Sequence, residues 1–277
     1  MSKICFIVGH GQSKDCGYDP GAVSGDFHEF KIAKKIAKFA QTYYNSNYTE
    51  QADCMNYDGD LYLSERIKKV NATDYDFIAE IHLNAGGGTG TECYYSKGDT
   101  KGKSYAQAIS KGIATAFGVK NRGAKTKLTA SGTDYFGIIR QTKPTAVLIE
   151  TLFIDTASDL ANIDNAAGQQ KCGEAIAKAV AEVRGAKLKT VATGTSTGAS
   201  ATTTTTKKPT TVSCQYFKKY TGKSSSIVDA LKAIGVNSTF ANRQKIASAN
   251  GIKSYIGTPT QNTKLLNLLK QGKLKTP

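Results

Sequence analysis

Two kinds of hydrophobic pattern alternate along the first two thirds of the chain. Short, continuous apolar runs predict buried strands, and longer stretches with an apolar residue every three or four positions predict one-sided helices. The runs cover residues 4–9, 77–82, 91–95, 135–139 and 146–152, with a weaker one within 48–55. The helical stretches cover 29–44, 61–71, 103–117 and 168–183. This alternation predicts an α/β fold with a mostly parallel twisted sheet flanked by helices.

The pattern stops in a segment made largely of Thr, Ser, Gly and Ala, which includes five consecutive threonines at 202–206. Such a composition buries too little apolar surface to fold, so it predicts a linker over residues 188–213. The linker divides the chain into a domain of residues 1–187 and a second domain of residues 214–277. Three short apolar stripes, at 226–234, 239–249 and 263–271, predict that the second domain is small and helical.

The two domains also differ in net charge. The formal net charge of the chain is +15, and residues 214–277 carry ten lysines and one arginine against a single acid, Asp229. A small domain of this kind predicts a polyanionic partner, which could be a nucleic acid, an anionic membrane or an acidic wall polymer.

Several classes of protein are not expected. No apolar run approaches the ~18 residues that a membrane-spanning helix needs. Only five apolar residues follow the start of the chain, too few for the core of a secretory signal, so we expect synthesis in the cytoplasm without a signal peptide. The six cysteines form no Cys-x-x-Cys pair, which favours reduced thiols over a thiolate metal site or a redox motif.

The candidate chemistry lies at the ends of the predicted strands. The chain has three histidines, and two of them, His10 and His82, directly follow apolar runs; Glu150 ends another run, and Glu29 begins a helix. Because the carboxyl ends of parallel strands meet at one edge of a sheet, we expect these residues to share a pocket. Two imidazoles and one carboxylate suit Zn²⁺ and leave a fourth position open for water.

We therefore predict that His10, Glu29 and His82 are zinc ligands and that Glu150 shuttles the proton of the attacking water. Each residue also has a structural interpretation: a tight turn at His10, a hydrogen-bonded core position at His82 and the helix dipole at Glu29. His28 competes with Glu29 as a ligand. Neighbouring residues on a helix point about 100° apart, and we favour Glu29.

The order of these residues also resembles a known family. Residues 3–184 are similar to the zinc-dependent N-acetylmuramoyl-L-alanine amidases of type 3. The segments that carry the resemblance are Val8-Gly9-His10-Gly11, Gly21-Ala22, Glu29, Leu63-x-x-Arg66 before Asn71, Ile81-His82-Leu83-Asn84-Ala85, and Val147-Leu148-Ile149-Glu150 with Phe153 and Asp159 beyond.

The resemblance implies zinc ligation by His10, Glu29 and His82 and catalysis by Glu150. It implies cleavage of the peptidoglycan amide that joins the lactyl group of N-acetylmuramic acid to L-alanine. Two positions depart from the family, which often has Ser where Glu80 stands and Asn where Asp155 stands. Arg140 is interpreted either as a contact to carboxylates of the stem peptide or as a surface salt bridge.

The tail has its own resemblance. Residues 216–275 look like the C-terminal module of some phage and Gram-positive amidases, which implies binding to a cell-wall polymer. The two-part plan then resembles a phage endolysin, or an autolysin, that acts on Gram-positive walls after release through a separate membrane lesion. Three alternatives remain: a zinc peptidase that cuts the stem peptide, a non-catalytic wall-binding protein, and a DNA-binding protein with a basic helix-turn-helix.

Overall fold

The computed structural model describes residues 3–189, 216–238, 240–252, 255, 257 and 259–277. The chain divides into two compact units, Met1–Thr190 and Val191–Pro277. Most of the predicted linker, together with Cys214, lies outside the described residues. The first two linker residues do not: Leu188 forms an antiparallel bridge with Tyr48, and the backbone N–H of Lys189 donates to Asn47 O at 2.8 Å.

A six-stranded sheet forms the centre of the first unit. Its strands lie in the order β6-β1-β7-β10-β8-β9, and β6, β1, β7 and β10 run parallel, whereas β8 and β9 run the other way. The mostly parallel sheet is thereby confirmed. The strands are β1 (Ile4–Val8), β6 (Ala52–Met55), β7 (Phe77–Asn84), β8 (Thr91–Tyr95), β9 (Asn121–Lys125) and β10 (Thr145–Phe153). Between β1 and β6, two-residue strands form two small hairpins, β2 (Gly11–Gln12) with β3 (Tyr18–Asp19) and β4 (Val23–Ser24) with β5 (Phe27–His28).

Six helices flank the sheet in the part of the first unit that the structure describes. Two of them have side-chain caps that explain where they begin: Asp99 accepts from the N–H of Gly102, and Asn165 accepts from the N–H groups of Ala167 and Gly168. The helices are α1 (Glu29–Asn47), α2 (Leu63–Ala72), α3 (Thr100–Phe117), α4 (Gly137–Gln141), α5 (Ala157–Ile163) and α6 (Ala166–Arg184).

One face of the sheet, here called the covered face, packs against α1, α3 and α6. Alternate strand residues point into this layer, such as Val147 and Ile149 of β10, and both are fully buried. Helices α1 and α6 approach closely at Gly173, where a Cβ would lie 2.6 Å from Ile36 O. The covered face therefore holds the main hydrophobic core.

The opposite face, here called the polar face, carries a smaller apolar cluster under α2 and α4. That cluster includes Val70 and Ile138 and reaches the sheet at Leu148. Two residues further along β10 the same face carries Glu150, whose register partners are His82 on β7 and Glu92 on β8. The polar face thus changes from apolar to ionisable along β7 and β10.

One predicted element is wrong. Residues 135–139 were expected to form a strand, but the helix α4 begins at Gly137 and ends at Gln141, shortly before Pro144. Ile138 and Ile139 are adjacent and both buried, an arrangement that a half-buried strand with alternating faces does not give. Short apolar runs of this kind do not distinguish strand from helix. Strand β9 and helix α5 were not predicted.

The second unit is helical, as predicted, with α7 (Ile227–Ala233), α8 (Phe240–Ala249) and α9 (Pro259–Gln271). A compact core joins the three helices and contains Leu231, Ile246 and Leu269. Arg243 on α8 reaches α9, where its Nη1 donates to Asn262 Oδ1 at 3.0 Å. No helix among the described residues is long and apolar enough to cross a membrane.

Candidate metal centre

His10 lies in a tight turn directly after β1. Its φ is +61°, a left-handed conformation that is uncommon for a residue other than glycine. The turn is stabilised at the carbonyl of His10, which accepts from Asn56 Nδ2 at 2.7 Å and from Arg66 Nη1 at 3.1 Å. The preceding residue must be small, because a Cβ at Gly9 would collide with the imidazole of His82. Glycine at position 9 is therefore required by the approach of β7.

Glu29 brings the two histidines together. Its Oε1 lies 3.3 Å from His10 Nε2 and 2.9 Å from His82 Nδ1, and its Oε2 accepts from the backbone N–H of Ala22 at 2.7 Å. The ligand atoms of His10, Glu29 and His82 all lie within 4.8 Å of one another. The structure thus places the three predicted ligands in one cluster.

A further carboxylate faces the second ring nitrogen of each histidine. Asp19 Oδ2 lies 2.9 Å from His10 Nδ1, and Glu80 Oε2 lies 3.3 Å from His82 Nε2. The other oxygen of Glu80 accepts from Arg66 Nε at 3.0 Å. Outer carboxylates of this kind orient the histidines of metal sites.

Neither outer carboxylate was predicted: Asp19 had no expected role, and Glu80 stood out only as a departure from the family. For Asp19, a signal existed in the sequence, since an acid stands within the glycine-rich stretch that follows His10. For Glu80, the signal was a charged residue inside an apolar strand, which is costly unless the charge is paired.

The electrostatics of the cluster favour positive charge. Burial alone would raise the pKa of Glu29, but hydrogen bonds from His10 and His82 hold that pKa far below its usual range. Burial alone would lower the pKa of His82, but Glu29 and Glu80 raise that pKa well above its usual value. The cluster therefore favours cationic charge, whether as protons or as a metal ion.

Glu150 lies beside this cluster on the neighbouring strand, in register with His82. Its Oε2 is buried and has no hydrogen-bond partner among the described residues. Burial raises the pKa of Glu150 to about 7; the charges of Glu29 and Glu92 also raise it, against the opposing effect of the two histidines. A carboxyl group of this kind can both accept and release a proton near neutral pH.

Other candidates lie elsewhere. His28 is not part of the cluster, because its Nδ1 lies 3.1 Å from the hydroxyl of Tyr18 and its ring stacks on the same residue. Arg140 donates through Nη1 to the backbone carbonyls of Asp134 and Tyr135, so it stabilises its own loop. Asp155 accepts from the N–H groups of the glycine turn after β7, at 2.6 Å from Gly86 N and 3.0 Å from Gly87 N.

A cavity of about 240 Å³ opens next to the cluster on the polar face. Its walls combine apolar groups with the polar ones already described. Among its lining residues are His10, Asp19, Tyr62, Leu63, Glu80, His82 and Phe136. The cavity gives a substrate access to the two histidines.

Comparison with known proteins agrees with this geometry. The family model described as N-acetylmuramoyl-L-alanine amidase matches residues 4–182. The chain belongs to this family. The matched range contains the whole cluster and Glu150, and it covers nearly all of the first unit.

Two curated relatives illustrate the match. The sporulation-specific N-acetylmuramoyl-L-alanine amidase of Bacillus subtilis is 32% identical over 162 residues, which are 57% of this chain and 59% of that protein. The endolysin of Bacillus phage SPP1 is 32% identical over 200 residues, 68% of this chain and 69% of the endolysin. The chain thus matches between about half and two thirds of the length of these family members.

Solved structures share the fold, among them an amidase catalytic domain. The catalytic domain of CwlV, an N-acetylmuramoyl-L-alanine amidase from Bacillus (Paenibacillus) polymyxa, superposes with a TM-score of 0.58 at 25% identity, over 68% of this chain and 100% of that domain. Cwp6 from Clostridium difficile gives a TM-score of 0.60 at 31% identity, over 66% of this chain and 29% of that protein.

A shorter match points to a different enzyme. The L-alanyl-D-glutamate peptidase of Listeria phage A118 is 52% identical over 54 residues, which are 20% of this chain and 19% of the peptidase. A match of this length has the size of a single small module.

Proposed function

We propose that this protein is a peptidoglycan hydrolase of the phage-lysin or autolysin kind that cleaves the amide between N-acetylmuramic acid and L-alanine. One observation carries the proposal: His10, Glu29 and His82 converge within 4.8 Å, in a chain of the amidase family. Beside them lies the buried, unpartnered Oε2 of Glu150.

The donor set fits zinc. Two imidazoles and one carboxylate are ligands that zinc accepts, and three protein ligands leave a fourth position for water, as in catalytic rather than structural sites. The carboxylates of Asp19 and Glu80 behind the two histidines match the outer contacts that such sites use. Zinc bound by His10, Glu29 and His82 would supply a Lewis acid and lower the pKa of its bound water to about 7.

The remaining chemistry belongs to Glu150. Its Oε2 accepts the proton of the attacking water and then delivers that proton to the leaving amine of L-alanine. Because no described group hydrogen-bonds this oxygen, it is available for the transfer. The hydrogen bonds of Asp19 and Glu80 meanwhile hold both imidazole rings in place.

For the tail we propose a wall-binding role, with residues 1–187 as the catalytic domain, 188–213 as the linker and 214–277 as the binding domain. Eleven basic residues against Asp229 suit an anionic wall polymer. DNA binding is the competing proposal, and it predicts a steep loss of affinity with salt and no enrichment on cell walls.

The proposed place of action follows from the same proposal. The protein is made in the host cytoplasm and reaches peptidoglycan after release. The endolysin relative and the charged tail support this route.

The deciding experiment identifies the amino terminus that appears when the full chain digests purified Gram-positive walls. New L-alanine termini without new reducing sugar ends are expected. New D-glutamate termini would instead establish the peptidase alternative, the cleavage for which the Listeria phage relative is named. No release by a zinc-loaded preparation would contradict both. Chelation should abolish the release, and added zinc should restore it.

A further inference from the structure

The row of polar side chains on the polar face continues beyond the metal centre. His82, Glu150 and Glu92 are register partners on three adjacent strands, β7, β10 and β8. The next partner is Gly123 on β9. In the described part of the chain, no heavy atom beyond its chain neighbours lies within 4 Å of where a Cβ of Gly123 would be. The row therefore ends in open space over β9.

A β-bulge at this point turns a charged side chain into the row. Thr91 pairs with Asn121 and Glu92 pairs with Gly123, so Arg122 is an extra residue on β9 without its own partner. Bulges redirect side chains and are common next to functional sites. Here Arg122 Nε donates to Glu92 Oε2, and Lys125 Nζ lies 2.6 Å from the same oxygen.

Glu92 pairs with both cations and is itself held in place by hydrogen bonds. It is 3% exposed, and its Oε1 accepts from Asn84 Nδ2 at 3.0 Å and from the hydroxyl of Tyr94 at 2.8 Å. Two cations against one carboxylate leave a net positive charge at this end of the row. The side chains of Arg122 and Lys125 are 28% and 36% exposed, so this charge faces solvent.

The guanidinium of Arg122 keeps donors free for a ligand. Only Nε is used, and neither Nη nitrogen has a hydrogen-bond partner among the described residues. The group is held over the ring of Phe153, 5.0 Å from its centroid. By contrast, Nη1 of Arg140 donates to two backbone carbonyls of its own loop. A held guanidinium with free terminal nitrogens suits two-pronged binding of a carboxylate.

We propose that Arg122 and Lys125 form a subsite for a carboxylate of the stem peptide on the far side of the scissile amide. This rests on the proposed function. Adjacent strands lie about 4.8 Å apart, so β8 and β9 lie roughly 10–14 Å from His82 across the sheet. An extended peptide spans about 3.3–3.6 Å per residue, so the second residue after the cut reaches about 7 Å and the third about 10 Å. The side chains of Arg122 and Lys125 extend from β9 back to Glu92 on β8, the nearer of the two strands. D-Glutamate is the second residue of the stem and is joined to the third through its γ-carboxyl, which lengthens the chain and leaves its α-carboxylate free for this subsite.

The test measures binding and does not depend on turnover. The zinc-loaded full chain is titrated calorimetrically with the peptide L-Ala–γ-D-Glu–L-Lys and with the same peptide whose carboxylates are carboxamides. The acidic peptide should bind about tenfold tighter or more, since charge-assisted hydrogen bonds are lost in the amide. A third peptide, amidated only at its C-terminus, separates the D-glutamate carboxylate from the terminal one.

Single substitutions test whether Arg122 and Lys125 cause the preference for the acidic peptide. Arg122→Gln and Lys125→Gln should each weaken the acidic peptide about tenfold and leave the carboxamide peptide unchanged. Lys111→Gln, an exposed lysine on α3, removes the same charge elsewhere and should leave both unchanged. Both side chains pair with the buried Glu92, and Lys125 is the more exposed of the two, so Lys125→Gln decides the question alone if Arg122→Gln does not fold.

Two results would overturn the subsite: equal binding of acidic and amidated peptides by the wild type, or equal weakening of both peptides in the variants. Neither result changes the products that the wall-digestion assay is expected to release. Conversely, D-glutamate termini in that assay would refute the amidase proposal without removing a measured preference for the acidic peptide. The two proposals therefore fail separately.

Discussion

The two faces of the central sheet carry different kinds of side chain. On β10, Val147 and Ile149 point into the covered face, and Leu148 and Glu150 point into the polar face. Ile149 therefore packs in the hydrophobic core, whereas the next residue, Glu150, lies beside the candidate metal centre. The pleat of the strand separates the two tasks, so substitutions on one face should leave the other largely intact.

The two faces are also stabilised differently. The covered face is stabilised by burial of apolar area against α1, α3 and α6. The polar face buries Glu80 and Glu92, which are 2% and 3% exposed, and each is paired with an arginine. Buried charges of this kind are tolerated because they are paired. Among the described residues of this face, Glu150 is the exception, because its Oε2 has no hydrogen-bond partner, which fits a role in proton transfer.

The largest effect is expected from Glu150→Gln. Loss of the proton acceptor should lower the release of L-alanine termini about 10²–10⁴-fold. Zinc content by atomic absorption should stay near one per chain, and the free energy of unfolding should change by less than about 1 kcal/mol. Full activity in this variant would show that another group moves the proton.

The adjacent residue should behave in the opposite way. Ile149→Ala opens a cavity in the covered face and should lower the free energy of unfolding by about 2–5 kcal/mol in urea titrations. Turnover and zinc content at a temperature well below unfolding should remain close to wild type. Leu128→Ala, at a 36% exposed position, is the matched control and should cost less than about 0.5 kcal/mol. A large loss of turnover in folded Ile149→Ala would contradict the separation of the faces.

The contribution of Glu92 to the stability of the polar face should depend on pH. Burial raises the pKa of Glu92, but Arg122, Lys125 and Tyr94 outweigh it and hold the pKa at about 2. Its ionised form therefore stabilises the fold above about pH 4.5, and this stabilisation is lost as the pH falls through 2. Glu92→Gln should be less stable by about 3 kcal/mol at pH 7, with the difference shrinking towards pH 2. A difference that is independent of pH would refute this account.

The smallest effect is expected from the carboxylates behind the proposed metal ligands. Asp19→Asn removes the charge that faces His10 Nδ1 and should weaken zinc binding about 10–100-fold in competition with a chromophoric chelator. Asp15→Asn, an exposed acid nearby, is the control for net charge and should leave zinc affinity unchanged. Equal affinities in both variants would show that Asp19 does not orient the ring.

The residues predicted from sequence share one property, which is that each ends or begins a strongly patterned element. His10, His82 and Glu150 follow or end apolar runs, and the parallel sheet brings such ends together. Glu29 begins α1. For these four positions, local pattern and tertiary placement agree, so their convergence could be predicted.

The positions that were missed depend on contacts that no local pattern reveals. Asp19 lies in a two-residue strand, too short to show any period. Arg122 reaches Glu92 only because of a bulge, which is a property of the pairing between β8 and β9. The wrong strand at 135–139 has the same origin: the adjacent Ile138 and Ile139 are packed by α2 and β10, and tertiary contacts settled their conformation.

The close contact between Gly9 and the imidazole of His82 links two distant positions of the chain. A methyl group at position 9 would occupy the space of the ring, so the choice of residue there is dictated from another strand. A library randomised at position 9 should return glycine for as long as histidine is required at 82. Alanine should become acceptable only when residue 82 is itself reduced to a small side chain. Position 9 is thus free to change only after position 82 has changed.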